Sequence, residues 1–265
     1  MTVYPTFEEL DALLRSLRPF LLDPTSAGEI VIKNRNDFVT AADMGVQKRL
    51  REEMQQRYPD FAFMGEEDSD HSVCDDVPTF ILDPIDGTTN YIFGYGLSAV
   101  SLALCHKGKA VLGAVYNPHT DELFYAERGK GATLNGKPLH VSSADSPAEV
   151  VAAIGSMPYR KEYADELFAI ARTLYLECID IRRSGSAAID CCYTAAGRVG
   201  LYAERSLKVW DYAASTVIIE EAGGKITDWA GNPVPLHGGS SVAVSNGKLH
   251  DYLLKTLQSN LKFPL

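Results

Sequence analysis

Apolar residues recur at helical spacing from the start of the chain. Leu10, Leu13, Leu14 and Leu17 share one face, and Thr6-Phe7-Glu8-Glu9 ahead of them is a capping-box pattern. An amphipathic helix is therefore predicted over residues 6–22. Ile30-Val31-Ile32 reads as a short strand that gives way to a polar loop. A second helix is predicted from residues 40–43, with Val46, Leu50 and Met54 on its apolar face. Phe61-Ala62-Phe63-Met64 and Phe80-Ile81-Leu82 are short unbroken apolar runs, read as buried strands. The second is expected to stop at Asp83-Pro84, because proline has no N–H for a strand ladder.

From about residue 97 to 139 the pattern becomes a meander. Residues 99–104, 110–116 and 122–126 read as strands, with Lys107-Gly108-Lys109, Asn117-Pro118-His119-Thr120 and Asn135-Gly136 as turns, which predicts antiparallel sheet. Ser142-Ser143-Ala144-Asp145-Ser146-Pro147 is a break in composition and the natural boundary between two halves. Beyond it the pattern predicts a strand at 150–154, a helix at 164–176 and a strand near 179–182. A further helix opens at Arg183-Ser184-Gly185-Ser186-Ala187-Ala188 and ends at Gly197. Small residues at such an opening let a ligand approach the backbone closely. A strand at 200–204 ends in Glu204, and a helix runs from Lys208 through Glu221 to Gly223-Gly224.

A chain of 265 residues can bury a sizeable core. Its formal charge of −10 argues against a general nucleic-acid binder, which presents a basic face. No apolar run approaches the length of a membrane span, and the acidic first residues lack the pattern of a signal peptide. Five cysteines, Cys74, Cys105, Cys178, Cys191 and Cys192, are odd in number and have no C-x-x-C spacing. They read as reduced thiols of a cytoplasmic protein rather than as zinc ligands.

The chemistry lies in acidic residues at the ends of predicted elements. Asp83 and Asp86 stand three residues apart at the mouth of a buried strand, an arrangement that calls for a positive charge between them. Glu66 follows another strand, and Asp211 lies in the first turn of a helix. Carboxylates without a competing His or Cys pattern select a hard cation such as Mg²⁺. Two ions bridged by Asp83 would activate a water on one side and stabilise a leaving oxygen on the other. The backbone N–H groups of Gly87 and Thr88 add an anion cradle, so phosphate ester hydrolysis fits best. Phosphoaspartyl enzymes of the haloacid dehalogenase type carry Asp-x-Asp-Gly-Thr; Asp83-x-x-Asp86-Gly87-Thr88 is one residue longer, which would misplace nucleophile and acid.

Gly65-Glu66-Glu67, Asp83-Pro84-Ile85-Asp86-Gly87-Thr88-Thr89-Asn90 and Trp210-Asp211-Tyr212-Ala213-Ala214 together resemble the signature motifs of the inositol monophosphatase family. The likeness spans nearly the whole chain. It implies a mixed α/β (α+β) fold, an α-β-α-β-α layered sandwich shared with fructose-1,6-bisphosphatase. Residues 1–265 would then form one domain, with pseudo-halves of about 1–142 and 148–265. It further implies a Mg²⁺-dependent, lithium-sensitive phosphomonoesterase, active on inositol monophosphate and related sugar phosphates, that forms a homodimer; from the charge and the lack of a long apolar run, no nucleic-acid or membrane partner is expected.

Position by position, the resemblance assigns Glu66, Asp83 and the Ile85 carbonyl to a first metal, and Asp83, Asp86 and Asp211 to a second. Glu66 with water would help hold a third ion. Thr88 and Asp43 match the pair that orients and deprotonates the attacking water, although Asp43 by itself reads as a helix-start carboxylate. Lys33 falls near a loop over the site. Gly185, Ser186 and Ala187 match a contact surface for the sugar alcohol, and Glu204 the carboxylate that accepts its hydroxyls. Substrate contacts are also expected at Asp86, Gly87, Thr88 and Asp211. Ser215 departs from the family's usual glycine, a change expected to touch packing. Fructose-1,6-bisphosphatase and 3′-phosphoadenosine-5′-phosphate phosphatase share the metal motifs and stay open as activities. So does a role mainly as a regulatory or assembly partner.

Overall fold

Strand alternation sorts the buried residues into three cores. In the computed structural model, which describes residues 3–28, 30–34, 37–71 and 76–264, the strand Thr79–Asp86 is buried along its whole length. Ala62–Gly65 pairs with it in parallel on one side and Ala99–His106 antiparallel on the other. Side chains of a strand point alternately to its two faces. Phe80 and Leu82 accordingly join Leu10, Leu13, Val46, Leu50 and Met54 of the helices Phe7–Ser16 and Ala41–Arg57. Ile81 enters the opposite core, made with the helices Ala187–Ala195 and Val209–Glu221. Asp83 continues the Ile81 face and is thereby aimed at those helices.

The sheet goes on through Lys109–Asn117, Glu122–Glu127, Ala132–Leu134 and Lys137–Pro138, seven strands in all, antiparallel after the first pair. A second, five-stranded sheet runs in the order Asp180–Arg182, Val151–Ile154, Leu201–Lys208, Gly239–Ser245, Lys225–Thr227. One face of it, with Tyr202, Val242 and Val244, closes the central core. The other, with Leu201, Ala203 and Ala243, packs against the outer helices Ala164–Glu177 and His250–Ser259. The order helix, sheet, helix, sheet, helix is the layered sandwich.

Several expectations change. The helix expected over 6–22 divides into Phe7–Ser16 and Arg18–Leu21, because Pro19 offers no N–H to continue the first. Part of the polar stretch expected as loop is strand: Asp37–Thr40 pairs antiparallel with Ile30–Asn34. The strand with the aspartates does not end at Asp83 but extends to Asp86. Its register against the neighbouring strand is interrupted between Asp83 and Asp86, so the missing N–H of Pro84 falls where the ladder is already broken. Lys225–Thr227, Gly239–Ser245 and His250–Ser259 lie beyond the last element that periodicity predicts. Cys105, Cys178, Cys191 and Cys192 are buried free thiols; Cys74 lies outside the described residues. Among the described residues no helix is long and apolar enough to cross a membrane.

Candidate active site

Asp83, Asp86 and Asp211 meet where the end of a sheet strand faces the start of the Val209–Glu221 helix. One carboxylate oxygen from each lies within 4.8 Å of the others. Asp83 and Asp86 are buried and Asp211 is half-buried. Burial raises the Asp83 carboxyl well above the usual range, and repulsion from Glu66, Asp86, Asp211 and Asp43 raises it further. Asp211 is raised in the same way, first by burial and then by Asp86 and Glu66. Asp86 is pushed up to about 6 by burial, against the hydrogen bonds it accepts. Three desolvated carboxylates that repel one another form a hard, all-oxygen donor set, and a divalent cation is the partner that would relieve both burial and repulsion. The cluster can hold a metal ion.

Each acid is fixed locally. Asp83 Oδ1 accepts the Ile85 N–H at 3.0 Å. Asp86 reaches across to the Ala187–Ala195 helix, where its Oδ2 accepts the Ala188 N–H at 2.8 Å and the Ser186 hydroxyl. A carboxylate at a helix start is favoured by the exposed N–H groups and by the dipole. Asp211 Oδ2 accepts the Lys208 N–H at 2.7 Å, closing the first turn of its own helix.

Glu66 follows Gly65 on the neighbouring strand, and its N–H donates to Leu82 O at 3.0 Å. Its charge acts on both Asp83 and Asp211. The loop that carries it is pinned from below: Asp68 accepts from the Gly65 N–H at 2.7 Å and Gln47 Nε2 at 3.1 Å, while Gln47 Oε1 accepts from the Glu67 N–H. A side chain at Gly65 would displace Gln47, since a Cβ there would lie 2.1 Å from Gln47 Oε1. His71 bridges this loop to the helix of Asp211. Its Nε2 lies 3.1 Å from Glu66 O, and its ring packs on Trp210 with centroids 4.6 Å apart.

Thr88 and Asp43 come from different helices. The Thr88 hydroxyl donates to Ile85 O at 3.0 Å. Asp43 Oδ2 accepts the Thr40 N–H at 2.7 Å and the Thr40 hydroxyl at 2.6 Å. The helix-cap reading of Asp43 is thus realised, yet its charge also reaches Asp83, and burial lifts its own carboxyl to about 6. Gly87, at φ 85°, turns the chain from strand to helix against Gly185 and Ser186, where a Cβ would meet Gly185 O at 3.1 Å. Only glycine takes that conformation without strain. Gly185 is likewise left-handed at φ 91°, Ser186 caps the next helix, and Ala187 is its first residue.

Glu204 stands at the side of this group. Its Oε2 accepts the Tyr202 hydroxyl at 2.8 Å and its Oε1 the Met157 N–H at 3.2 Å. Burial raises its carboxyl. Lys33 contributes no described side chain.

Some contributors went unread in the sequence. Asp190, buried in the first turn of the Ala187–Ala195 helix, accepts the Ser184 hydroxyl at 2.6 Å and so braces the Ser184-Gly185-Ser186 turn. Its signal was a carboxylate four residues past an N-cap serine. Asn90 donates to both Leu97 O and Ser184 O, at 2.7 and 2.8 Å, tying the two glycine turns together. Ser215 is fully buried near the thiols of Cys191 and Cys192, and its hydroxyl makes no hydrogen bond among the described residues.

The layered sandwich with carboxylates gathered at strand ends and helix starts defines a phosphatase of the inositol monophosphatase superfamily. The Inositol monophosphatase family model matches residues 13–262. The chain belongs to the inositol monophosphatase family. It is 36% identical over 237 residues to an inositol-1-monophosphatase of Rhizobium meliloti, covering 89% of this chain and 87% of that one. It is also 38% identical over 213 residues to Nus factor SuhB of Vibrio cholerae, covering 80% of each. Among solved structures, the IMPase of Thermotoga maritima superposes with a TM-score of 0.86 at 32% identity, over 96% of each chain. The extragenic suppressor protein SuhB of Bartonella henselae gives 0.85 at 35%, over 95% of this chain and 97% of that one.

Proposed function

We propose that the protein is a Mg²⁺-dependent phosphomonoesterase that releases phosphate from inositol monophosphate and related sugar-alcohol phosphates. The observation that carries this reading is the set of three carboxylates, two buried and one half-buried, within 4.8 Å of one another, with Glu66 acting on it from the neighbouring strand. Glu66, Asp83, the Ile85 carbonyl, Asp86 and Asp211 would hold two to three ions. When bound, Mg²⁺ neutralises phosphate charge and makes water a stronger nucleophile.

The chain's own residues do the rest. Backbone N–H groups at Gly87 and Thr88 face the phosphate, and the Thr88 hydroxyl orients the attacking water. Thr40 holds Asp43 Oδ2, and the carboxylate would take a proton from that water. A carboxyl near 6 suits such a transfer at neutral pH. Gly185, Ser186 and Ala187 form the wall against the alcohol, and Glu204 accepts its hydroxyls. Positioning and charge neutralisation supply most of the rate, as in other phosphoryl transfers.

Phosphate release from inositol 1-phosphate, fructose 1,6-bisphosphate and 3′-phosphoadenosine 5′-phosphate, each titrated with Mg²⁺ and then Li⁺, tests the reading. Inositol 1-phosphate should turn over best, with lithium inhibition. Asp211→Asn should lower turnover by about tenfold to a hundredfold or more and raise the Mg²⁺ requirement; near-normal activity at ordinary Mg²⁺ would overturn the site. Glu204→Ala should raise KM for inositol 1-phosphate and spare a small aryl phosphate.

The relatives named Nus factor SuhB favour a second role in a larger assembly. Pull-down with and without Mg²⁺ separates that role from catalysis. A homodimer is also proposed, and equilibrium sedimentation measures it.

A further inference from the structure

Glu204 and Arg205 are neighbours on one strand and point to opposite faces. Glu204 lies on the Tyr202 side, toward the proposed alcohol site. Arg205 lies on the Ala203 side, in the outer core, and is buried.

Arg205 is held by hydrogen bonds and by aromatic rings. Its Nη1 donates to Glu166, also buried, and its Nη2 donates to Pro264 O at 2.5 Å and Phe263 O at 3.2 Å. The other Glu166 oxygen accepts the Lys262 N–H at 2.9 Å. The guanidinium lies 4.4 Å from the ring centroid of Tyr163 and 5.9 Å from that of Trp229. Tyr163 in turn packs edge-on against Phe263, with centroids 5.3 Å apart. The stretch Lys262-Phe263-Pro264, which follows the His250–Ser259 helix, thus supplies one donor and two acceptors to a buried ion pair. Without it, Glu166 and Arg205 would each keep an unmatched polar group in the core, a costly state for a buried charge.

Tyr163 ends the loop whose start touches Glu204. Gly155 packs so closely on Glu204 that a Cβ would lie 1.9 Å from its Oε2. Met157, buried and at φ 40°, donates its N–H to Glu204 Oε1. A left-handed methionine is strained and persists only where its surroundings hold it. Residues 155–163 therefore grip the strand twice, at Glu204 by Gly155 and Met157 and at Arg205 by Tyr163.

We propose that Arg205 is a positioning residue for substrate specificity. Clamped by Glu166 and strapped by Lys262-Phe263-Pro264, it holds the 155–163 loop so that Met157 fixes the Glu204 carboxylate toward a polyol. This rests on the reading of Glu204 as the group that accepts the alcohol's hydroxyls. The strap acts on recognition of the alcohol, not on the phosphate or metal chemistry.

The test compares KM and kcat for inositol 1-phosphate and p-nitrophenyl phosphate, at saturating Mg²⁺, in four proteins: the parent, Glu204→Ala, the strap variant Lys262→Gly/Phe263→Gly/Pro264→Gly, and the combination. The strap variant should raise KM for inositol 1-phosphate about tenfold, the scale of one charged hydrogen bond, with both constants for the aryl phosphate unchanged. Added to Glu204→Ala it should have no further effect, because the strap works through that carboxylate. Equal damage to both substrates, or an effect that multiplies with that of Glu204→Ala, overturns the proposal. If Glu204→Ala alone leaves the ratio of the two KM values unchanged, the reading of Glu204 fails and the proposal with it. If Glu204→Ala shifts that ratio and the strap variant does not, only the strap fails. Should the triple variant not fold, Lys262→Pro removes the single N–H to Glu166 and is judged by the same ratio.

Discussion

Asp190 shows what burial does to one carboxylate. It accepts the Ser184 hydroxyl, which favours the ionised form, yet desolvation wins and raises its carboxyl from 3.8 to about 7. A folded-state value above the unfolded one means that ionisation opposes folding. The favourable contribution is intact below the unfolded value of 3.8 and is lost as pH rises through about 7. Asp190→Asn keeps an acceptor for Ser184 and cannot ionise. It should match the parent's stability near pH 4 and exceed it by on the order of 2–4 kcal/mol near pH 8. Urea unfolding across that pH range measures the difference, and a gap that does not widen with pH would contradict the buried-acid account. Asp43 differs in that a complete capping box, with two hydrogen bonds from Thr40, offsets part of the same penalty.

The helix Val209–Glu221 is the element that brings the site together, since Asp211 sits in its first turn and its length fills the central core. It lies directly on the strand Lys109–Asn117 at Gly113, where a Cβ would stand 2.2 Å from Ala214 O. Backbone cannot yield as a flexible side chain does, so Gly113→Ala must push the helix outward. It should lower stability by about 1–3 kcal/mol and reduce turnover as Asp211 moves, read as a lower Tm together with a higher Mg²⁺ requirement. A variant as stable and as active as the parent would show that the contact is slack. This contact was not legible in the sequence, where Gly113 is one small residue in a strand. The helix itself was, because its Trp210-Asp211 start and its paired glycines bracket an apolar run. Glu66 and Asp83 were legible for a related reason, since each follows a short apolar run and so declares where a strand delivers it, and Asp86 by its place three residues after Asp83. Asp190 and Gln47 were hidden, because their roles come from what other elements place beside them. Pro84 misled the strand boundary, since a local rule about N–H groups cannot foresee an interruption of register on the neighbouring strand.

At the scale of the molecule, metal binding and folding act on the same charges. Asp83 and Asp86 belong to the seven-stranded sheet and Asp211 to the helix packed on it, so the cluster exists only once those parts have docked. Burial raises all three carboxyls, Asp86 to about 6, and repulsion from neighbouring carboxylates adds to the rise of Asp83 and Asp211, both well above 3.8. By the sign worked out for Asp190, each contribution is intact below the unfolded value and is lost as pH climbs through the folded one. In the absence of divalent cation, stability should therefore fall from about pH 5 toward pH 8. Mg²⁺ binds the ionised carboxylates of the folded state, so it should offset that fall, contributing about 2.7 kcal/mol in all at a hundredfold excess over its dissociation constant. Thermal unfolding in chelator and in saturating Mg²⁺ should give Tm curves that nearly coincide near pH 5 and diverge by several degrees near pH 8. The divergence should shrink in Asp211→Asn. A Mg²⁺ effect of the same size at both pH values, or one that survives loss of Asp211, would place the cation away from these three aspartates.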